Sequence, residues 1–182
     1  MAISALDPNT ALVVIDIQKG VVGLPSVHPM AGVVANCVSL AKAFRKANRP
    51  VVLVNVAGAP AGRADKKFSM NPPPGWDELV PELDRQPSDI LVTKYTPGAF
   101  HGTGLDLQLR RRGVTEIVLC GVSTSSGVES TARAAYEHGY TVAVAIDAVT
   151  DMVRELHDNS VERIFPKLAE TGTTADVLAR LS

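Results

Sequence analysis

The sequence has few cysteines, no excess of charge of either sign and no long hydrophobic run, and each shortage excludes a class of protein. Two isolated cysteines, Cys37 and Cys120, do not make a disulfide scaffold or a zinc knuckle. Eighteen basic and 19 acidic side chains give a formal net charge of −1, whereas nucleic-acid-binding proteins usually carry a basic excess. The apolar runs are only as long as a strand, and residues 1–10 lack a secretory signal pattern. We therefore expect a cytoplasmic protein that binds neither nucleic acid nor membrane.

Short β-branched runs alternate with helical patterns along the whole chain. Strand-like runs cover residues 11–15, 51–56, 90–92, 116–121 and 141–146. Helices are predicted between them, including residues 125–138 and a helix that follows Thr103. This alternation predicts an α/β fold with a parallel sheet covered on both faces, in one domain spanning residues 1–182. Residues 57–89 are proline-rich and lack periodicity, which is typical of an ordered loop or lid.

Three candidate functional groups follow predicted strands, where ligands of such sheets bind. Asp16 can act as a general acid or base, or simply bond to the backbone of its turn. Lys94 can orient Asp16 and bias its protonation, or be a surface lysine. Residues 121–128 begin a helix whose free N–H groups suit a carboxylate or an oxyanion, although Ser/Thr-capped helices are common.

The histidines and cysteines do not form a recognisable metal or thiol site. None of the four histidines is paired at a useful helical spacing with another potential ligand, so we interpret them as surface or packing residues. Cys120 lies inside a predicted strand and is interpreted as a buried structural thiol. We expect no cofactor and no metal.

Residues 11–18, Lys94 with Ala99, Phe100 and Thr103, and residues 121–133 occur in a characteristic order. Together they resemble the isochorismatase-like hydrolase superfamily, which includes nicotinamidases and N-carbamoylsarcosine amidases. The resemblance implies a three-layer α/β/α sandwich around a central, mostly parallel sheet of six strands. It also implies a small-molecule substrate and a homo-oligomer, a dimer or larger.

The resemblance also assigns roles within the site. Cysteine hydrolases of this superfamily use an Asp, a Lys and a Cys, which match Asp16, Lys94 and Gly127. Because glycine has no nucleophile, the amidase chemistry through a thioester is not expected here. A cis peptide bond would fall at Val122–Ser123. The histidines that bind metal in nicotinamidases have no counterpart in residues 54–57, so we predict no zinc.

Glycine at the nucleophile position is also typical of true isochorismatases, which hydrolyse a vinyl ether to pyruvate and a diol without a covalent step. Asp16 would be the acid, with Lys94 and the helix N-terminus holding the substrate carboxylates. We expect Val122, Ser123, Ser125, Ser126, Phe100 and Arg63 to bind the substrate. Two alternatives stay open. One is an amidase or ureidohydrolase that acts through water or through Ser125 or Ser126. The other is a non-catalytic binding protein.

Overall fold

A computed structural model describes residues 3–65 and 72–181, and in it six parallel strands form one sheet. The strands are β1 (Thr10–Ile15), β2 (Val51–Val56), β3 (Ile90–Lys94), β4 (Glu116–Val122), β5 (Thr141–Thr150) and β6 (Glu170–Gly172). The α-helices are α1 (Lys19–Val22), α2 (Met30–Lys46), α3 (Leu105–Arg111), α4 (Glu129–Glu137), α5 (Arg154–Asn159) and α6 (Thr174–Ala179). π-helical turns at Thr124–Val128 and Ser160–Ile164 adjoin α4 and α5, and Pro81–Leu83 and Phe165–Lys167 form 3₁₀ turns.

The sheet lies between two hydrophobic cores, one on each face. Every residue of β1 is buried, as expected for a central parallel strand covered on both sides. Leu12 and Val14 face the core formed with α2 and α6, whereas Val13 and Ile15 face the core formed with α3 and α4. The predicted three-layer α/β fold with six strands is therefore confirmed.

The strand order is β3-β2-β1-β4-β5-β6. β2 and β3 lie on one side of β1, whereas β4, β5 and β6 lie on its other side. The strand order therefore reverses between β1 and β4, and ligands of open α/β sheets bind in the crevice at such a point. Asp16 follows β1 there, and Val122 ends β4 there.

Several predicted elements differ from the structure at their ends, among them β3, which continues to Lys94 rather than ending at 92. The helix predicted over 125–138 begins as the π-helical turn Thr124–Val128 before α4, and β5 continues to Thr150 rather than ending at 146. The continuous buried run of β5 is interrupted at Ile146, which is half-buried, and at Asp147, which is exposed, so the first buried run does not reveal the strand's full length. No helix within the described ranges is long and apolar enough to cross a membrane.

Gly121 brings β4 unusually close to β1. It pairs with Ile15 in the parallel ladder and has a φ of 114°, a conformation that favours glycine. A Cβ at this position would lie 2.0 Å from the carbonyl oxygen of Ile15. This close approach places the end of β4 beside Asp16, which is the residue that follows β1.

Candidate active site

Asp16 and Lys94 form a buried ion pair across the carboxyl ends of three strands. Asp16 directly follows β1 with a φ of 50°, and its N–H donates to the carbonyl oxygen of Val54 on β2. Lys94 ends β3 and reaches past β2, so that its Nζ lies 2.7 Å from Oδ2 of Asp16. Only 5% of Asp16 and 2% of Lys94 are exposed to solvent. The structure thus brings together the two charged residues that the sequence predicts for the site.

Burial makes Asp16 suitable for proton transfer near neutral pH. Loss of solvent raises the pKa of Asp16 to about 6, although the charge of Lys94 and its hydrogen bond lower it. Oδ2 accepts from Lys94, whereas the buried Oδ1 has no hydrogen-bond partner among the described residues. When Asp16 is protonated, we therefore place the proton on Oδ1. In the ionised state the same oxygen requires a donor, because an unsatisfied buried acceptor costs about 1–3 kcal/mol.

The turn after β4 places Gly127 against this carboxylate. The peptide bond Val122–Ser123 is cis, at the position that the resemblance implies. A Cβ on Gly127 would lie 3.4 Å from Oδ2 of Asp16, but also 2.9 Å from Cγ2 of Ile15 and 3.2 Å from the oxygen of Val122. The surroundings are therefore packed around a glycine, and a side chain bearing a nucleophile would require Ile15 to move.

A cavity of about 230 Å³ opens above the ion pair, and its walls are mostly apolar. Asp16, Lys94, Val122, Ser123, Ser126 and Gly127 contribute to its lining. Its apolar side chains include Val21, Leu24, Met30, Val56, Trp76 and Met152. A mostly apolar pocket with a few convergent polar groups is typical of a small-molecule site.

Trp76 forms a wall of this cavity and packs directly on a glycine. A Cβ on Gly20 would lie 1.9–2.2 Å from Cδ1, Nε1 and Cγ of the indole. The backbone fixes the same contact, because the N–H of Gly20 donates to the carbonyl oxygen of Trp76 at 2.9 Å. Gln18 adds a side-chain hydrogen bond to that oxygen at 3.3 Å. The proline-rich segment predicted as a lid therefore contributes a fixed aromatic wall.

We expect Gly20→Ala to displace the indole, since the added methyl group would overlap it. Trp76 is the chain's single tryptophan, so its emission spectrum reports the change directly. The variant should show a red-shifted emission maximum. Gly23→Ala is the matched control, because the nearest atom to its Cβ is the oxygen of Lys19 at 3.9 Å. Identical spectra for the two variants would contradict this packing.

The helix start after β4 is already occupied by a carboxylate of the protein. Oδ2 of Asp151, which follows β5, accepts from the N–H of Ser125 at 2.7 Å and from its Oγ at 2.8 Å. The N–H groups of Ser126 and Val128 donate to the oxygen of Ser123. Ser125 is thus bonded to a residue of the cavity lining without belonging to the lining itself, whereas the exposed Ser126 belongs to it.

Two other predicted binding residues lie outside the described cavity lining. Phe100 is buried in the core with α3 and α4, and its ring packs against those of Tyr140 and His138 at centroid distances of 5.9 and 5.1 Å. Arg63 is exposed, and the structure does not bring it to the lining either. Phe100 follows Lys94 closely in sequence, but the chain turns inward between them.

Sequence reasoning missed Trp76 and Asp151. Trp76 lies in a segment without periodicity, which carries no signal for its orientation. Asp151 could have been found by the rule that identified Asp16, because it is an acidic residue immediately after a buried strand. Asp151 was missed because β5 was predicted to end at residue 146, whereas the strand continues to Thr150.

The donor set for a nicotinamidase-type zinc does not fit this chain. Asn55, at the end of β2, donates to the oxygen of Asp77 at 3.0 Å and accepts from Oγ1 of Thr93 at 2.8 Å. Within residues 3–65 and 72–181, no three His, Cys, Asp or Glu side chains cluster as a metal site. His157 lies in a packing position, with Nδ1 2.9 Å from Oγ1 of Thr124.

Comparisons with known proteins agree with the fold. The isochorismatase domain family model matches residues 10–176. The Bacillus subtilis isochorismatase family protein YwoC is 42% identical over 181 residues, covering 95% of this chain and 94% of its own. A solved isochorismatase family structure from Burkholderia thailandensis is 46% identical, with a TM-score of 0.93 over 97% of both chains. The ureidoacrylate amidohydrolase RutB of Pseudomonas syringae is 32% identical, covering 77% of this chain and 70% of its own.

The family match spans most of the chain and includes β1 with Asp16, Lys94 and the turn after β4. Relatives from this family are named as hydrolases and amidohydrolases. The chain belongs to the isochorismatase family and is a hydrolase of that α/β type.

Proposed function

We propose that the protein hydrolyses a small molecule with Asp16 as general acid or base and without a covalent intermediate at position 127. The observation that carries this proposal is the buried Oδ1 of Asp16 beside a cavity, without a hydrogen-bond partner in the part of the chain that the structure describes, and with Oδ2 held by Lys94. A carboxyl group with a pKa of about 6 exchanges protons readily near neutral pH. The tight packing around Gly127 supports a site that works without a thiol.

Hydrolysis of a vinyl ether of the isochorismate type is the first candidate, because it requires only a proton donor and water. The proton on Oδ1 of Asp16 would add to the terminal methylene carbon, leaving an oxocarbenium ion. Water would add to that ion, and the hemiketal would collapse to a carbonyl compound and an alcohol, with one proton returned to Asp16. Lys94 would stabilise the carboxylate formed in the first step, since its Nζ lies 2.7 Å from Oδ2.

Hydrolysis of a small amide or ureide is the second candidate, favoured by the similarity to RutB. Here the ionised Asp16 would remove a proton from water, which would attack the carbonyl carbon. Alternatively, Ser126 would attack the carbonyl carbon as the nucleophile, since it belongs to the cavity lining. Ser125 is less suited to this role because it is bonded to Asp151. A serine route predicts a covalent adduct with an electrophilic amide analogue, visible in the intact protein mass.

The pH dependence of kcat/KM distinguishes the two candidates. If Asp16 is the acid, the active form carries the proton, and kcat/KM falls about tenfold per pH unit above about 6. If Asp16 is the base, the active form is ionised, and kcat/KM rises with pH and becomes constant above about 6. The measurement uses isochorismate and a panel of small vinyl ethers, amides and ureas. A profile with no transition near that pH for any substrate would contradict the role of Asp16.

The remaining alternative from the sequence, a non-catalytic binding protein, is disfavoured by the membership of the chain in a family of hydrolases. It would bind small molecules in this cavity, turn none of them over and keep its affinity in the Asp16→Asn variant. Assembly as a dimer or larger homo-oligomer and a cytoplasmic location stay predictions.

A further inference from the structure

We infer that the substrate is an uncharged, largely apolar molecule rather than a carboxylate. This inference rests on the proposed function and names the substrate class of the same site. Among the candidate substrates it selects neutral vinyl ethers, amides and ureas, and it excludes isochorismate because that molecule carries carboxylates. It follows from three features of the cavity: the occupied helix N-terminus, the neutralised lysine and the apolar walls. Each feature removes one way in which an anionic substrate would be held.

The first feature is the carboxylate of Asp151 at the helix start. A helix N-terminus attracts anions because its N–H groups are free and its dipole is positive there. In this chain Asp151 already accepts from the N–H and Oγ of Ser125 at 2.7 and 2.8 Å. Its other oxygen accepts from the N–H of Met152. A substrate carboxylate bound at this helix start would be repelled by the charge of Asp151.

The second feature is the charge balance at the cavity floor. Lys94 is the one cationic side chain among the described residues of the lining, and Asp16 lies 2.7 Å from it. With Asp16 ionised the pair has no net charge, and Asp151 gives the lining a formal charge of −1. With Asp16 protonated, as the acid route requires, Asp151 balances Lys94, so the lining has no net positive charge in either state. Arg63, the cation expected to meet an anion, is exposed and outside the lining.

The third feature is the composition of the walls. Val21, Leu24, Met30, Val56 and Trp76 provide hydrocarbon and aromatic surface, which favours an apolar ligand body. Burying a charged group against such walls without a partner is unfavourable. The site instead requires a single hydrogen-bond donor from the substrate, for Oδ1 of Asp16, and a neutral hydroxyl or amide group supplies it.

Two ligands of equal shape and different charge test this inference. Cyclohexanecarboxamide is neutral and cyclohexanecarboxylate is anionic at about pH 8, where Asp16 is also ionised. Binding is followed by the fluorescence of Trp76, so the readout is independent of turnover. We expect the amide to bind at least about tenfold more tightly than the carboxylate. Equal or tighter binding of the carboxylate would overturn the inference, as would failure of the amide to bind up to its solubility limit.

Asp151→Asn tests the cause of this selectivity. The variant retains an oxygen for Ser125 but removes the charge, so we expect the affinity for the carboxylate to rise about three- to tenfold. Asp147→Asn is the matched control, because Asp147 binds the N–H and Oγ1 of Thr174 at 2.6 and 2.8 Å, at another helix start. An unchanged carboxylate affinity in Asp151→Asn, or the same rise in the control, would overturn the role of Asp151. Failure of the proposed hydrolysis would appear separately, as an absent pH transition in kcat/KM.

Discussion

Replacing Asp16 by Asn is expected to reduce kcat/KM by a factor of about 10²–10⁴, the usual contribution of a general acid or base. The amide cannot exchange a proton at Oδ1, although it retains the size of the carboxylate. Every step of either proposed reaction that moves a proton passes through this group. Initial rates with the best substrate of the panel provide the measurement.

The control for this prediction must separate chemistry from folding. In Asp16→Asn the ammonium group of Lys94 keeps its charge while only 2% exposed and loses its counterion. Removing one partner of a buried pair costs about 3–5 kcal/mol of stability. The double variant Asp16→Asn/Lys94→Met removes both charges and should recover stability without recovering activity. A double variant that is stable and active would show that Asp16 is not the reactive group.

Gly121→Ala is expected to be the most destabilising small substitution in the sheet, by more than about 4 kcal/mol. The new Cβ would lie 2.0 Å from the carbonyl oxygen of Ile15 and 2.7 Å from its nitrogen, so two central strands would have to separate. The φ of 114° adds strain for any residue with a side chain. Urea unfolding monitored by circular dichroism measures the loss. Separation of the strands would also move Asp16 relative to the turn at Gly127.

Gly139→Ala is the matched control for this second prediction. Gly139 also has a positive φ, of 81°, but nothing lies within 4 Å of its Cβ position. It should lose about 1 kcal/mol, which is the cost of backbone conformation alone. The difference between the two variants therefore isolates the contact between β4 and β1. Similar losses in both would contradict the close approach.

The strands and the ion pair of Asp16 and Lys94 could be predicted because short stretches of sequence are enough to identify them. A run of buried β-branched residues identifies β1 whatever lies around it, and Asp16 follows that run directly. Lys94 was predicted just after β3 in the same way and is the last residue of that strand. Since parallel strands end at the same edge of a sheet, the two charges were expected to lie together. The role of Gly127 came from the resemblance to a family, not from the residue itself.

The walls of the site could not be predicted because they depend on contacts between distant segments. Trp76 is placed by its packing on Gly20, which lies more than fifty residues earlier in the chain. Ser125 was expected to bind substrate, but its bonds to Asp151 depend on where β5 ends. Phe100 was expected to bind substrate after the resemblance to the family, whereas its ring packs against Tyr140 in the core.

Titration of the Asp16 carboxyl group by ¹³C NMR tests the central claim most directly, because it needs no substrate. Selective labelling of aspartate, with Asp16→Asn to assign the signal, follows this one group as the pH changes. The account predicts a transition with a midpoint at about 6, well above the ordinary value near 4 for an aspartate. A carboxyl signal that stays ionised down to about pH 4 would contradict it, since Lys94 would then hold Asp16 permanently as a carboxylate.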